Sequence, residues 1–316
     1  MKRIILAMTV MALAVALSAG VALAANVDCT IDTAALCLGT PNDDELEGED
    51  INDGDQGRKD VIKGRGGSDG AGGNGGNDRI LGGEGQDGDS IVSGDLEGGD
   101  GNDYVDGGKG DDFTIEGDAG RDTVLGGPGD DEDVFGWNGN DTVSGGPGND
   151  EEVNGSDGKD KVNGGPGNDE EVNGNDGDDT VIGGSGNDED VFGGEDDDKI
   201  NGGSGNDDNV EGGEGDDTVN GGSGDDGGGA GVFGELTGDT GNNTVLGGTG
   251  DDQIDARASL AGEVEEIFSE EDNDTIRADD GEQDIINCGA GNNDTVTFDA
   301  LGIDTVNNNC ENRFPV

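Results

Sequence analysis

The hexad Gly-Gly-x-Gly-x-Asp starts at Gly107 and returns every 19 residues up to Gly221, with further copies starting at Gly82, Gly98, Gly212 and Gly247. A strict period of this length constrains the chain more than anything else in it, because every unit must make the same contacts with its neighbours. Each unit splits into ten residues and then nine, as in "GGPGNDEEVN" (145–154) followed by "GSDGKDKVN" (155–163). Glycines at the first, second and fourth positions permit positive φ and let backbone approach backbone closely, so each half opens with a turn. One apolar residue follows among polar neighbours, as expected for the inward-facing residue of a very short strand. The apolar columns are Ile115, Val134, Val153, Val172, Val191 and Val210 in first halves, and Val124, Val143, Val162, Val181, Ile200 and Val219 in second halves. They are β-branched, which favours strand over helix. The pattern predicts an all-β solenoid with two short strands per 19-residue coil.

Two aliphatic side chains per coil form too small a core to order 19 residues unaided. Charge makes the difficulty worse: the 316 residues include 77 Asp and Glu against 15 Lys and Arg. Stacked coils would bring like charges about 5 Å apart, each pair costing about 0.8 kcal/mol even in water. A surface of this sign repels polyanions, so no nucleic-acid partner is expected. It attracts cations. The chain has no His, which removes the usual zinc ligand and the His general base. Carboxylates together with carbonyls freed by glycine turns suit Ca²⁺, which takes six to eight oxygen ligands, better than Mg²⁺, which demands a tight octahedron. An EF-hand does not fit, since the 19-residue unit lacks flanking helices and the closing Glu.

The units resemble the GGxGxDxUx nonapeptides of the repeats-in-toxin (RTX) family, also called hemolysin-type calcium-binding repeats, most strongly from Gly98 to Asp255. The resemblance implies a right-handed parallel β-roll with multiple Ca²⁺ ions between stacked turns on both edges. It further implies ligation by the carbonyls at positions one, two and four and by the Asp carboxylate at position six. In first halves the implied acids are Asp112, Asp131, Asp150, Asp169, Asp188, Asp207 and Asp226, and in second halves Asp122, Asp141, Asp160, Asp179, Asp198 and Asp217. Asp87, Asp103 and Asp252 hold similar sixth positions. Implied carbonyl donors at positions two and four are Gly108 and Gly110, Gly127 and Gly129, Gly146 and Gly148, Gly165 and Gly167, Gly184 and Gly186, and Gly203 and Gly205. Asp196 replaces a position-four glycine, and the extra acid of first halves, as in Glu151-Glu152, predicts a bulge at the strand start.

The regular region, 98–255, is flanked by degenerate repeats over 41–97 and by interrupted repeats with a C-terminal cap over 256–316. The unit from Gly221 runs 26 residues and holds an inserted loop, "GGGAGVFGELTG". The run "ARASLAGEVEEIFSEED" after Asp255 spaces Leu260, Val264 and Ile267 for a side loop or a short helix covering the roll. At the N-terminus, Lys2 and Arg3 precede an apolar run and Ala22-Leu23-Ala24, which reads as a signal peptide over 1–24, followed by an N-terminal cap over 25–40. The mature chain has no further segment apolar enough to span a bilayer. An exported chain with four cysteines is expected to form disulfides; of the three pairings, the local one, Cys29–Cys37 with Cys288–Cys310, is favoured.

These features describe a secreted calcium-binding repeat protein rather than an enzyme, because repeats and caps fill the mature chain and no carboxylate pair stands out from the rest. The alternative is an extracellular adhesion or matrix protein with a calcium-rigidified spacer and a cell-surface or matrix partner.

Overall fold

The computed structural model describes residues 25–28, 36–38, 44–47, 60–87, 95–227, 236–257, 263–300 and 302–316. The signal peptide, Cys29, Leu260 and most of the inserted loop after Asp226 lie outside them. Every described strand belongs to one of two parallel sheets, with 18 and 14 described strands, and the chain passes from one sheet to the other through a turn twice per coil. Strand Glu152–Gly158 pairs with Glu171–Asp176 in the first sheet, with Val153 opposite Val172. Lys161–Pro166 pairs with Thr180–Ser185 in the second, with Val162 opposite Val181. Each residue therefore meets its counterpart one repeat away, and the fold is a parallel β-solenoid.

Burial along Glu152–Gly158 alternates, with Val153 and Gly155 turned inward and Glu152 and Asn154 outward. The sheets enclose two facing columns of aliphatic residues. Leu96, Ile115, Val134, Val153, Val172, Val191, Val210, Leu236, Ile254, Ile276 and Val296 form the first. Ile62, Ile80, Val105, Val124, Val143, Val162, Val181, Ile200, Val219, Val245, Ile267 and Ile286 form the second. Burying each aliphatic side chain contributes about 1.5–3 kcal/mol. Among the described residues no helix is long and apolar enough to cross a membrane.

Two expectations change. The extra acid of first halves makes no pairing bulge: Glu151 N–H donates to the Asp131 carbonyl and Glu152 N–H to that of Glu132, both at 2.8 Å. A bulge sets two residues against one, whereas neighbouring coils share the insertion and so pair one to one. Secondly, the run after Asp255 forms no helix over its described part. Glu266–Glu271 is a strand paired with Thr244–Thr249, and Ile267 is fully buried opposite Val245. Its apolar spacing fits a helix by chance, while the β-branched Ile267 drops into the core column. Asn side chains on the sheet faces pair both between coils and within strands. Asn220 donates to Asn201 at 3.2 Å, but Asn154 and Asn173 donate to Glu152 and Glu171 within their own strands.

The degenerate flanks continue the coil. At the N-terminal end Asp44–Glu47 pairs with Ala25–Asp28, and Leu36–Leu38 with Val61–Lys63. At the C-terminal end Asn312–Pro315 pairs with Thr295–Phe298, and Cys288–Cys310 forms the expected disulfide.

Candidate metal centre

The turn at 145–150 shows why glycine is required. A Cβ on Gly148 would sit 1.5 Å from the Gly129 carbonyl oxygen of the preceding coil. Gly146 has φ +115°, and a Cβ there would lie 2.2 Å from the Gly127 carbonyl oxygen. Inside the turn, a Cβ on Gly145 would lie 2.1 Å from Asp150 Oδ2 and 2.9 Å from the Gly164 carbonyl oxygen of the next coil. Two oxygens from successive coils thus converge on one small space. The same convergence recurs at Gly126, Gly164, Gly183 and Gly202, and on the opposite edge at Gly155, Gly174 and Gly193.

The position-six acids are buried and linked along each edge. Asp131 N–H donates to Asp150 Oδ1, Asp150 N–H to Asp169 Oδ1, and Asp169 N–H to Asp188 Oδ1, each at 3.0 Å. On the opposite edge Asp141 donates to Asp160, Asp160 to Asp179 and Asp179 to Asp198, at 2.6–2.7 Å. Asp169 therefore communicates with Asp150 and Asp188 and not with Asp160 or Asp179, which are closer in sequence. Each of these links uses Oδ1. The Oδ2 atoms of Asp87, Asp112, Asp122, Asp131, Asp141, Asp150, Asp160, Asp169, Asp179, Asp188, Asp198, Asp207, Asp217, Asp226 and Asp252 are buried without a hydrogen-bond partner, and Asp103 is buried in the same ladder.

Burial pushes these carboxyls upward: Asp150, Asp169, Asp188 and Asp207 to about 6, and Asp131 and Asp198 to about 8. The hydrogen bond from the neighbouring Asp N–H opposes the shift, and stacked acids add to it. A buried anion without a donor is strongly disfavoured, and a cation among the oxygens would compensate it. The ladder acids do not crowd together. Among the described residues, the three-carboxylate group whose oxygens lie within 4.8 Å of one another is Asp95, Glu97 and Glu116, which is not part of either ladder. Each space between turns therefore offers carboxylate oxygen and carbonyl oxygen together, which fits a hard cation such as Ca²⁺.

Several residues with this geometry carry no complete motif. Asp274, Asp284 and Asp294 also have buried Oδ2 atoms without a hydrogen-bond partner, as Glu265 does at Oε2, and Asp69 and Asp78 are buried at matching places. The ladders run through them: Asp69 N–H donates to Asp87, Asp252 to Asp274, and Asp274 to Asp294. Coil-by-coil alignment of the flanks by their apolar residues locates them, whereas a search for glycines does not. Position five was missed as well. Asn168 N–H donates to Asn149 Oδ1, and Asn187 N–H to Asn168 Oδ1, both at 2.8 Å, a ladder running opposite to that of position six. Asp196, despite lacking the expected glycine, keeps the turn by adopting φ +76°, and Asp198 Oδ2 stays buried and unpartnered beside it.

A family model described as the RTX calcium-binding nonapeptide repeat (four copies) matches residues 56–88, a series of adjoining and overlapping segments between 95 and 227, and residues 235–259. The chain belongs to this family of calcium-binding repeats. No curated protein matches it significantly.

Proposed function

We propose that this is a secreted protein whose coils are held closed by multiple Ca²⁺ ions bound between successive turns along both edges. The observation that carries the reading is the recurrence of buried Asp Oδ2 atoms without partners along both edges, from Asp112 to Asp226 on one and from Asp122 to Asp217 on the other. The position-six acids from Asp87 to Asp252 would supply carboxylate oxygen, and glycines such as Gly146, Gly148, Gly165 and Gly167 carbonyl oxygen. Asp69, Asp78, Asp274, Asp284 and Asp294 extend the set. When bound, the ion supplies positive charge and no chemistry; the chain's residues orient oxygens and exclude water. No catalytic role is proposed. Secretion rests on the N-terminal signal pattern and on a disulfide suited to an oxidising compartment. An adhesion or matrix spacer is the second reading, favoured by the rod shape: 14 stacked strands at about 4.8 Å each make a sheet roughly 60 Å long. Equilibrium dialysis tests the main reading. Several calcium ions should bind per chain, with magnesium competing poorly, and no calcium uptake at millimolar concentration would refute it.

A further inference from the structure

One rung departs from the ladder. On the edge that runs through Asp198 and Asp217, the next position-six residue is Asn243, which is 1% exposed. Its Oδ1 accepts the Asp217 N–H at 2.7 Å. A backbone N–H can only donate, so this bond fixes the amide orientation and turns Nδ2 to the other side. There Nδ2 lies 2.6 Å from the point a Cβ on Gly238 would occupy, the same distance as Asp217 Oδ2 from the corresponding point on Gly212. An N–H₂ donor thus stands where the other rungs place a bare carboxylate oxygen. Its hydrogens are used: Nδ2 donates to Glu265 Oε1 of the next coil at 3.2 Å and to the position-two carbonyl of Asp239 at 3.4 Å.

We infer that Asn243 is an ion-free rung, at which a direct amide-to-carboxylate hydrogen bond to Glu265 replaces the calcium ion between coils. The inference rests on the calcium reading of the other rungs. An amide nitrogen carries its hydrogens toward the space, repels a cation there and offers it no lone pair. It also engages one oxygen of Glu265 and the Asp239 carbonyl that a cation would otherwise draw on. The ion string on this edge is therefore interrupted at Asn243, while the opposite edge continues without interruption through Asp226, Asp252 and Asp274. Two irregular steps flank this rung, the 26 residues separating Asp217 from Asn243 and the 22 separating Asn243 from Glu265.

The test counts bound calcium in the full mature chain by equilibrium dialysis for wild type, Asn243→Asp and Asn243→Ala. Asn243→Asp restores an oxygen at the rung and should bind about one calcium more than wild type. Asn243→Ala should bind the same number as wild type, because it removes a hydrogen bond and no ligand. An unchanged count in Asn243→Asp, its failure to fold in calcium, or the loss of an ion in Asn243→Ala would each overturn the inference while leaving the calcium reading intact. A wild type that binds no calcium would overturn that reading and this inference with it.

Discussion

The central coils and the C-terminal coils follow the same plan with different materials. Between Gly107 and Asp226 the tight turns are made mainly of glycine and the core columns are mostly Val. After Asp252 the acid ladder persists, but the turn at 269–274 reads Ser-Glu-Glu-Asp-Asn-Asp, with Glu270 at φ +74° and Asp272 at φ +76°. Its columns carry Ile254, Ile267, Ile276 and Ile286, and a disulfide joins Cys288 to Cys310. The last rungs satisfy their own charge: Asp304 accepts N–H groups from Asp284 and Asp299, and Glu311 accepts that of Asp294. The buried acid is thus the element the fold keeps, and glycine is the easiest means of reaching the turn conformation. The strained φ of a non-glycine residue is tolerated in both regions, at Trp137, Ser156, Asn175 and Asp196 in the centre as at Glu270 and Asp272, but only the C-terminal coils add larger aliphatics and a covalent bond. If calcium holds the coils closed, as proposed, the centre should depend on it more heavily than the C-terminal end does.

The sharpest way to break this comparison is to remove calcium and vary pH. In the metal-free fold the central acids titrate at about 6 to 8, above the roughly 3.9 of an unfolded Asp. Groups raised in this way bind more protons folded than unfolded. Their contribution is complete below about pH 4 and disappears as pH rises through 6 to 8. With chelator, hydrogen exchange should show central coils protected near pH 5 and unprotected near pH 8, with residues 263–316 keeping more protection at the higher value. Uniform loss along the chain would remove the distinction between the two regions. With calcium present the trend should reverse, because protons compete for the ligand oxygens.

A smaller but more local effect is expected from Asp169→Ala. The change removes the acceptor of the Asp150 N–H and the rung between Asp150 and Asp188. About two sites should be lost and the calcium midpoint raised, with the defect reaching adjacent coils because solenoid stability is nearest-neighbour. A defect transmitted to the opposite edge at Asp160 and Asp179 as strongly as along its own would contradict the ladder geometry.

Much of this arrangement was legible in the sequence. The period, the two apolar columns and the sixteen acids from Asp87 to Asp252 all take the places their spacing implied. What escaped did so for physical reasons. The rungs at Asp274 and Glu265 were hidden because non-glycine residues can occupy positive φ, so the turn outlasts its motif. The position-five ladder is a contact between coils, invisible in any single repeat. The strand at Glu266–Glu271 was masked by an apolar spacing that also fits a helix.

Removing the Cys288–Cys310 bond alone, by Cys288→Ser with Cys310→Ser, should act only at the C-terminal end. Removal of such a bond typically costs about 2–4 kcal/mol. Exchange should rise over 263–316 while the central coils stay protected in calcium; loosening of the centre would show that the end coils hold the whole rod. The smallest effect is expected from Glu171→Gln. Glu171 Oε1 accepts only the Asn173 amide, at 3.2 Å, and stands outside the ladder. Its calcium midpoint should match wild type, and a shift as large as that of Asp169→Ala would make the extra acids ligands.

The most direct test of the central claim, that calcium between coils compensates the buried acid ladders, is a calcium titration of the mature chain at neutral pH followed by far-ultraviolet circular dichroism. The chelated chain should lose the β structure of its central coils and regain it cooperatively as calcium rises through about 10⁻⁴–10⁻³ M, the range of extracellular calcium modules. Identical β-rich spectra with and without calcium would contradict it.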